Sequence, residues 1–276
     1  MDAAETSVRL EEAHSGAWWF AHSSTALGIR PAPAQRVVVG GRDPEPQRGT
    51  GVVEPRATRW PVKPHWPSAS IAAGLTDRLG DSAALLAAVR TSVAASAEQV
   101  HGGSVAVVGS RLGRSLIPGA DALVTNVPGM ALLIRTADCL PMFFADPARL
   151  AVGLAHAGWR GLAMGLPARV VAAMRRTYRT PPGELAVAIG PAIRACCYEV
   201  GLEFEARFGP FVQMRGGRRT CDLIGAAVEQ LRRCGVRPER IVDSQACTGC
   251  GVQRWFSLRR EGPSTGRLTS LIVVRP

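Results

Sequence analysis

Lysine, aromatic residues and long apolar runs are scarce in this sequence. Lys63 is the only lysine, and aromatic residues make up 5% of the chain. No apolar run reaches the roughly 18 to 20 residues that cross a bilayer. The first residues are acidic and lack the basic segment and apolar stretch of a secretory signal. These absences argue against membrane and secreted proteins, so we expect a cytoplasmic protein with no membrane partner.

The charge of the chain comes almost entirely from arginine. The formal net charge is +11 at pH 7, yet the arginines are scattered and only Arg215–Arg219 is dense. Surfaces that bind nucleic acid usually cluster their basic residues on one face and interleave aromatic ones. We therefore predict no nucleic-acid partner. A positive field of this kind suits an anionic or phosphate-bearing small molecule instead.

Composition divides the chain into two regions. The whole chain has 276 residues, of which 46% are hydrophobic, enough for one large core. Residues 1–65 are rich in Pro, Gly and Arg and mostly lack periodicity. We predict a variable, partly disordered N-terminal extension there, with room for one or two edge strands, and one folded domain at 66–276. Seven cysteines, an odd number, and no export signal argue against a disulfide framework.

The remaining sequence mixes helical and strand patterns without a regular alternation. Apolar spacing predicts helices over Ser82–Ala97 and Gly161–Tyr178. Turn residues separate short β-branched runs, and such short connections favour antiparallel neighbours. The predicted strands include Leu123–Asn126, Ala131–Thr136, Pro141–Ala145, Ala151–Ala155, Trp255–Arg259 and Leu268–Val274. The expected fold is a single α/β (mixed α+β) domain with mixed, largely antiparallel sheets flanked by helices.

Two histidines and one cysteine stand where predicted strands meet loops. Cys139 follows an apolar strand, His156 ends the next but one, and His101 lies in a glycine-flanked loop. Two imidazoles and a thiolate can hold zinc with the fourth position left for water, whose pKa falls to about 7. Spacing alone leaves two other interpretations open. Cys139 could be a nucleophile with a histidine base, or all three side chains could be ordinary structural residues.

The pair Cys247-x-x-Cys250 is a second candidate. A structural zinc would need two more ligands, and none lies at the usual spacing. Gly249 and Gly251 indicate a turn rather than the helix that a redox CxxC motif opens. We therefore interpret the pair as two thiols in a tight loop. The adjacent Cys196 and Cys197 are expected to point in different directions and to be structural.

Several motifs in order resemble one known family. They are QVHGGSV, ADALVTNVPGMALLIRTADCLPMFF, VGLAHAGWRGLAMG, AIGPAIRACCYEVG, and CTGC followed by WFSLRREGPSTGRLTSLIVV. Together, over residues 99–276, they resemble the YfiH family of purine nucleoside phosphorylases, once named polyphenol oxidases or laccase-domain proteins. Upstream the likeness is weaker, since Leu75–Gly80 matches only part of a segment usual in that family and the stretch before Gln99 is shorter.

The resemblance implies a zinc ion held by His101, Cys139 and His156. It also implies phosphorolysis of adenosine, inosine and methylthioadenosine, and hydrolytic deamination of adenosine, with nucleosides and phosphate as the partners. Arg160 and its neighbouring amides would hold phosphate or ribose hydroxyls. Asp138 would act as a general acid or base, or only orient a ligand.

Three alternatives stay open beside that reading. One is a cysteine hydrolase or amidase using Cys139 and a histidine. Another is a copper oxidase of phenols, which a single His2Cys site serves poorly. The third is a non-catalytic nucleoside-binding member of the family.

Overall fold

Two large β-sheets packed face to face form the centre of the protein. The computed structural model describes residues 8–13, 17–22, 69–80, 82–109 and 114–276. Within these ranges, one sheet has seven strands in the order β1-β2-β3-β15-β8-β4-β6. Its strands are β1 (Val8–Ala13), β2 (Ala17–His22), β3 (Ile71–Thr76), β4 (Ala94–Ala97), β6 (Arg114–Ile117), β8 (Ala131–Thr136) and β15 (Leu268–Val274).

The second sheet has six strands in the order β14-β11-β9-β10-β7-β5 among the described residues. Its strands are β5 (Val105–Val107), β7 (Ala122–Thr125), β9 (Leu140–Asp146), β10 (Ala151–Ala157), β11 (Ala186–Ile189) and β14 (Ile241–Asp243). A separate hairpin pairs β12 (Val212–Arg215) with β13 (Arg218–Cys221), and its turn holds two glycines at positive φ. The dense arginine segment is therefore this hairpin.

Helices cover both outer faces of the sheets. Their ranges are α1 (Ser82–Ala88), α2 (Trp159–Ala163), α3 (Leu166–Tyr178), α4 (Glu205–Phe208), α5 (Leu223–Arg233) and α6 (Leu258–Glu261). Helices α3 and α5 pack on the six-stranded sheet, and α1 packs on the seven-stranded sheet. The resulting order of layers is helix, sheet, sheet, helix. No helix in the described part of the chain is long and apolar enough to span a membrane.

The central strands are buried on both faces because a helix covers one side and the other sheet covers the opposite side. Every residue of β9 and of β10 is buried. Phe143 and Leu154 face the seven-stranded sheet, whereas Phe144 faces the helices. Near-continuous apolar sequence in both strands is the expected signature of this two-sided burial.

The predicted fold class, a mixed α/β domain with helices flanking mixed sheets, is confirmed. Antiparallel pairing of β9 with β10 is also confirmed. The expectation that each neighbouring strand pairs with the next is wrong for β8, since it lies in the sheet opposite both β7 and β9. The short turns on either side of β8 carry the chain between sheets rather than along one.

Three local predictions need correction. The helix expected over Ser82–Ala97 ends at Ala88, because Arg90 takes a left-handed conformation and Ala94–Ala97 pairs with β8 and β6 as a strand. The helix expected over Gly161–Tyr178 is interrupted at Gly165, where φ is 73°. The strand expected over Trp255–Arg259 is instead a bend at 255–257 followed by the first residues of α6.

Strands β1 and β2 extend the seven-stranded sheet through antiparallel pairing with each other and with β3. Both lie within residues 1–65, where one or two edge strands were anticipated. Residues 36–39 also have a strand-like pattern, but they and most of that region lie outside the described residues.

Candidate functional site

One end of the six-stranded sheet gathers the three predicted ligands. His156 is near the end of β10 and pairs across the sheet with Pro141, so β9 begins beside it and Cys139 lies just before that strand. His101 lies in the loop between β4 and β5, in a left-handed conformation with φ of 60°. The antiparallel arrangement brings the end of one strand to the start of its neighbours. Residues far apart in sequence thereby meet at one point.

The ligand atoms of these three side chains all lie within 4.8 Å of one another. The imidazoles of His101 and His156 meet edge to face, with ring centroids 4.7 Å apart. His156 is 3% exposed, Cys139 is half-buried, and His101 is exposed toward the open side. Two imidazole nitrogens and a thiol at this separation form a group that could hold a metal ion.

Asp121 holds two of the three residues in place, and sequence reasoning missed it. Its fully buried carboxylate accepts hydrogen bonds from the backbone N–H groups of His101 (2.9 Å) and Gly102 (2.6 Å). It also contacts Nδ1 of His156 at 2.9 Å. A carboxylate at Nδ1 fixes the ring orientation and leaves Nε2 free for a ligand, as in many metal sites. The only sequence signal is an acid directly preceding a buried strand.

The electrostatics of the site favour a thiolate beside charged imidazole. Burial raises the pKa of Cys139, but hydrogen bonds with His101 and His156 outweigh it and lower that pKa to about 7. Burial lowers the pKa of His156, while Asp121 and Cys139 raise it to about 9 overall. Burial also raises the pKa of Asp121, yet the bonds with His156 and Gly102 keep it below its usual value. A cysteine with a lowered pKa can serve as a metal ligand or a nucleophile.

Two glycines give the site its close packing. A Cβ at Gly158 would lie 3.1 Å from Sγ of Cys139 and 3.2 Å from Cδ2 of His101. A Cβ at Gly161 would lie 2.9 Å from the carbonyl oxygen of Gly102. Because Gly158 and Gly161 carry no side chain, the segment after His156 can lie against Cys139, His101 and the Gly102 carbonyl.

The Asp138 carboxylate is engaged by three donors. It accepts from the hydroxyls of Thr248 (2.6 Å) and Ser257 (2.8 Å) and from the backbone N–H of Arg259 (2.6 Å). Asp138 itself has φ of 83°, an unusual conformation for a residue with a side chain. Of the two roles predicted for Asp138, these contacts favour orienting the adjacent Cys139.

Arg160 does not line the cavity in front of His101, Cys139 and His156. Its exposed guanidinium stacks over the ring of Trp159 at 4.7 Å. The cavity in front of the ligands, of about 720 Å³, is lined by two other arginines, Arg135 and Arg267. The structure thus does not bring Arg160 into this cavity, and sequence reasoning missed the two arginines that line it.

The cavity combines an apolar wall with these polar groups. His101, Cys139 and His156 lie at one side, and Leu116, Leu133, Ile134 and Leu258 are among the apolar lining residues. The Gln99 side chain bonds both the N–H and the C=O of Arg135, at 2.7 and 2.6 Å, and ties the His101 loop to β8. A larger cavity, of about 940 Å³, lies beside α3 and α5 and contains none of the three ligands.

Arg78, in the segment Leu75–Gly80, anchors the turn that precedes α6. Its guanidinium donates to the carbonyl of Trp255 (3.2 Å) and forms an ion pair with Glu261 (2.8 Å). The backbone N–H of Ser257 bonds the same Glu261 carboxylate, and this bond together with Arg78 lowers its pKa to about 2. Arg78 therefore helps to hold the turn that carries Ser257, one of the three donors to Asp138.

The structure corrects the interpretation of the remaining cysteines. Cys196 and Cys197 both approach Cys250, with Sγ–Sγ distances of 3.5 and 3.3 Å, and Cys247 lies 3.5 Å from Cys196. The second pair of thiols, judged absent from spacing, comes from a loop about fifty residues away. The predicted tight turn is confirmed, since the N–H of Gly251 bonds the carbonyl of Cys247 at 2.9 Å.

Comparison with known proteins agrees with the resemblance noted above. A family model described as multi-copper polyphenol oxidoreductase laccase matches residues 79–275. Purine nucleoside phosphorylase YlmD of Geobacillus stearothermophilus is 36% identical over 192 residues, covering 63% of this chain and 70% of that protein. A purine nucleoside phosphorylase of Xylella fastidiosa is 39% identical over 184 residues, covering 63% and 69%. The crystal structure of Bacillus licheniformis YfiH superposes with a TM-score of 0.70 at 25% identity, covering 77% of this chain and 96% of that one.

Proposed function

The chain belongs to the laccase-domain family that includes the YlmD and YfiH proteins, and on that basis we propose that it is a zinc-dependent purine nucleoside phosphorylase. The proposed substrates are adenosine, inosine and methylthioadenosine, with phosphate as the second substrate and adenosine deamination as a side activity. The observation that carries the proposal is the meeting of His101, Cys139 and His156 at the wall of one cavity. The catalytic domain of the proposal is residues 66–276, since all of these residues lie within it.

The donor set and its surroundings fit zinc. Two imidazoles and one thiolate leave a fourth position, the ligand atoms are already within 4.8 Å, and Asp121 fixes Nδ1 of His156. Zinc, when bound, supplies a Lewis acid that polarises a substrate oxygen or activates water. Copper oxidation of phenols needs several copper centres rich in histidine, whereas the sequence has five histidines and two meet in the described site.

The cavity suits a nucleoside and an anion together. Its volume of about 720 Å³ lies in the range of small-molecule sites. Arg135 and Arg267 are placed to hold phosphate as it attacks C1′ of the ribose, while the C1′–N9 bond breaks and the purine leaves with the electron pair. The half-buried Arg267 also donates to the carbonyls of Thr265 (2.7 Å) and Gly266 (2.9 Å), which fixes its guanidinium at the cavity wall.

The test combines metal content with product analysis. Wild-type protein and Cys139→Ala, purified without added metal, are measured by mass spectrometry and incubated with adenosine with and without phosphate. We expect adenine to appear only with phosphate, and both the turnover and the site's metal to be lost in Cys139→Ala. Absence of nucleoside turnover by the metal-loaded wild type would contradict the proposal.

The arginine assignment is tested by three matched variants. Arg135→Ala and Arg267→Ala should each raise the KM for phosphate about tenfold or more, because each removes one charge-assisted contact of about 1.5 to 3 kcal/mol. Arg160→Ala is the control, and its KM for phosphate should stay within about twofold of wild type. A larger effect in Arg160→Ala than in the other two would restore the role first predicted for Arg160.

A cysteine hydrolase is the second candidate, favoured by one observation. Asp121, His156 and Cys139 form the acid–base–nucleophile order of a catalytic triad, and the pKa of the thiol is lowered to about 7. Rapid alkylation of Cys139 by iodoacetamide in metal-supplemented protein, together with no nucleoside turnover, would support this reading. Protection of the thiol by added zinc would oppose it, since a coordinated thiolate is a poor nucleophile.

A further inference from the structure

A second cluster of sulfur atoms lies outside the nucleoside cavity. We propose that Cys196, Cys197, Cys247 and Cys250 hold a structural zinc ion as a tetrathiolate site. This site is independent of the one formed by His101, Cys139 and His156. Its role is to fix the two loops that carry the four cysteines.

The sulfur positions fit a tetrahedral metal. All four Sγ atoms lie within 4.8 Å of one another, and three of the pairs are 3.3 to 3.5 Å apart. With zinc–sulfur bonds of about 2.3 Å, the edges of a sulfur tetrahedron are about 3.8 Å. A disulfide would bring one pair to about 2.05 Å, whereas all four cysteines are free thiols. A small contraction of the widest pairs and expansion of the closest ones makes the tetrahedron.

The Cys247–Cys250 turn has the backbone that a metal-binding turn needs. The N–H of Gly251 bonds the Cys247 carbonyl at 2.9 Å and closes the turn between the two cysteines. The loop that carries Cys196 and Cys197 is joined to this turn by the β-bridge between Ala192 and Cys247.

Gly249 allows the two loops to approach. A Cβ at this position would lie 2.7 Å from Cβ of Cys197 and 3.0 Å from its Sγ. The first distance is shorter than real Cβ contacts, so a side chain on residue 249 would force one of the two loops to shift. The same close approach brings Sγ of Cys197 to within 3.3 Å of Cys250.

The charge of the assembled site has a compensating neighbour. When four thiols bind a divalent cation, four protons leave and four sulfur–metal bonds form, so the site carries two net negative charges. Arg260 lies against it, with Nη2 3.6 Å from Sγ of Cys197 and Nε bonded to the Gly249 carbonyl at 3.1 Å. A guanidinium so placed stabilises the anionic form of the site.

The cluster also bears on the loop before Cys139. Thr248, between two of the cysteines, donates its hydroxyl to the Asp138 carboxylate at 2.6 Å. Ile193, three residues before Cys196, donates its N–H to the Asp138 carbonyl at 2.9 Å. Both loops of the cluster thus hold the residue that precedes Cys139, and a metal joining them would stabilise that position.

The experiment is cobalt substitution of the full chain, purified under reducing conditions. A tetrathiolate site gives intense sulfur-to-cobalt charge-transfer bands and the visible bands of tetrahedral cobalt. We expect these bands in wild type and in Cys139→Ala, which loses only the other metal. In Cys250→Ser the charge-transfer absorption should fall to that of the one thiolate in the other site. In Cys234→Ser, a control that removes a half-buried thiol outside the cluster, it should stay at the wild-type level.

Metal counting by mass spectrometry gives the second readout. We expect two zinc ions per wild-type chain, one in Cys139→Ala, one in Cys250→Ser and two in Cys234→Ser. A cobalt spectrum with only one thiolate ligand in wild type would overturn the proposal, and this result needs no variant to fold. Disulfide formation among the four cysteines in protein denatured without reductant, with no metal released, would overturn it as well. Failure of nucleoside turnover alone would leave these readouts unchanged, so the two proposals are separable.

Discussion

Replacing Asp121 by Asn should lower the zinc affinity of the site without abolishing zinc binding. The carboxylate accepts three hydrogen bonds, from two backbone N–H groups and from His156, at 2.6 to 2.9 Å. An amide of the same size has one oxygen acceptor, so its NH2 group must face a donor. A hydrogen bond to a charged group contributes about 1.5 to 3 kcal/mol, and a lost partner of a metal-ligating histidine typically costs 10- to 100-fold in metal affinity.

The assay is zinc affinity by competition with a chromogenic chelator, alongside the free energy of unfolding of the metal-free protein. Asp146→Asn is the matched control, because Asp146 is also a fully buried carboxylate, at the other end of β9, bonded to Arg149. We expect both variants to lose stability and only Asp121→Asn to lose zinc affinity, by about 10- to 100-fold. Equal zinc affinities in wild type and Asp121→Asn would refute the role given to this carboxylate.

Three further predictions follow from packing and charge. Gly158→Ala should lower zinc affinity about tenfold, because the added Cβ would press on Cys139. Gly109→Ala is the control, since its Cβ would meet open space, and it should leave zinc affinity unchanged. Equal zinc affinities in wild type and Gly158→Ala would contradict the contact with Cys139. The folded pKa of Glu261, about 2, lies below its usual value of 4.5. The contribution of Glu261 to stability is therefore fully present above pH 4.5 and is lost as the pH falls through about 2. The stability gap between wild type and Glu261→Gln should accordingly narrow over that interval in acid denaturation, and a constant gap would argue against it. Phe143 is fully buried between the sheets, so Phe143→Ala should lower the free energy of unfolding, measured in urea, by about 3 to 5 kcal/mol. A loss of less than about 1 kcal/mol would contradict that placement.

Apolar pattern predicted the buried strands well and the ends of helices less well. Strands such as Ala131–Thr136 and Leu268–Val274 were predicted at their observed bounds, because two-sided or alternating burial is written directly in the residues. The helix over Ser82–Ala97 was overextended because alanine-rich sequence suits a helix, while parallel pairing with β8 makes Ala94–Ala97 a strand. Tertiary pairing outweighed local preference there. Which sheet receives β8 is likewise decided by long-range packing that the turns do not encode.

The site shows the same division between local and distant information. Cys139 and His156 drew attention because they stand where predicted strands end, and the family resemblance, carried by motifs that include His101, joined the three as ligands. Asp121 contacts a histidine 35 residues away, and its position before a buried strand does not by itself predict that contact. The cysteine cluster joins loops 50 or more residues apart, so a search at the usual zinc-ligand spacing could not find it.

Because their ligands are separated differently along the chain, the two candidate metal sites become able to bind metal at different stages of folding. His101 and His156 are brought together only when β7 and β10 have paired, so the unfolded chain holds no equivalent of that site. Zinc bound there should raise the melting temperature in proportion to the logarithm of its concentration. Cys247 and Cys250, in contrast, share one short turn and can capture an ion before the sheets form. A metal held first by that turn would act as a nucleus to which Cys196 and Cys197 are later added, so the order of metal loading would record the order of folding.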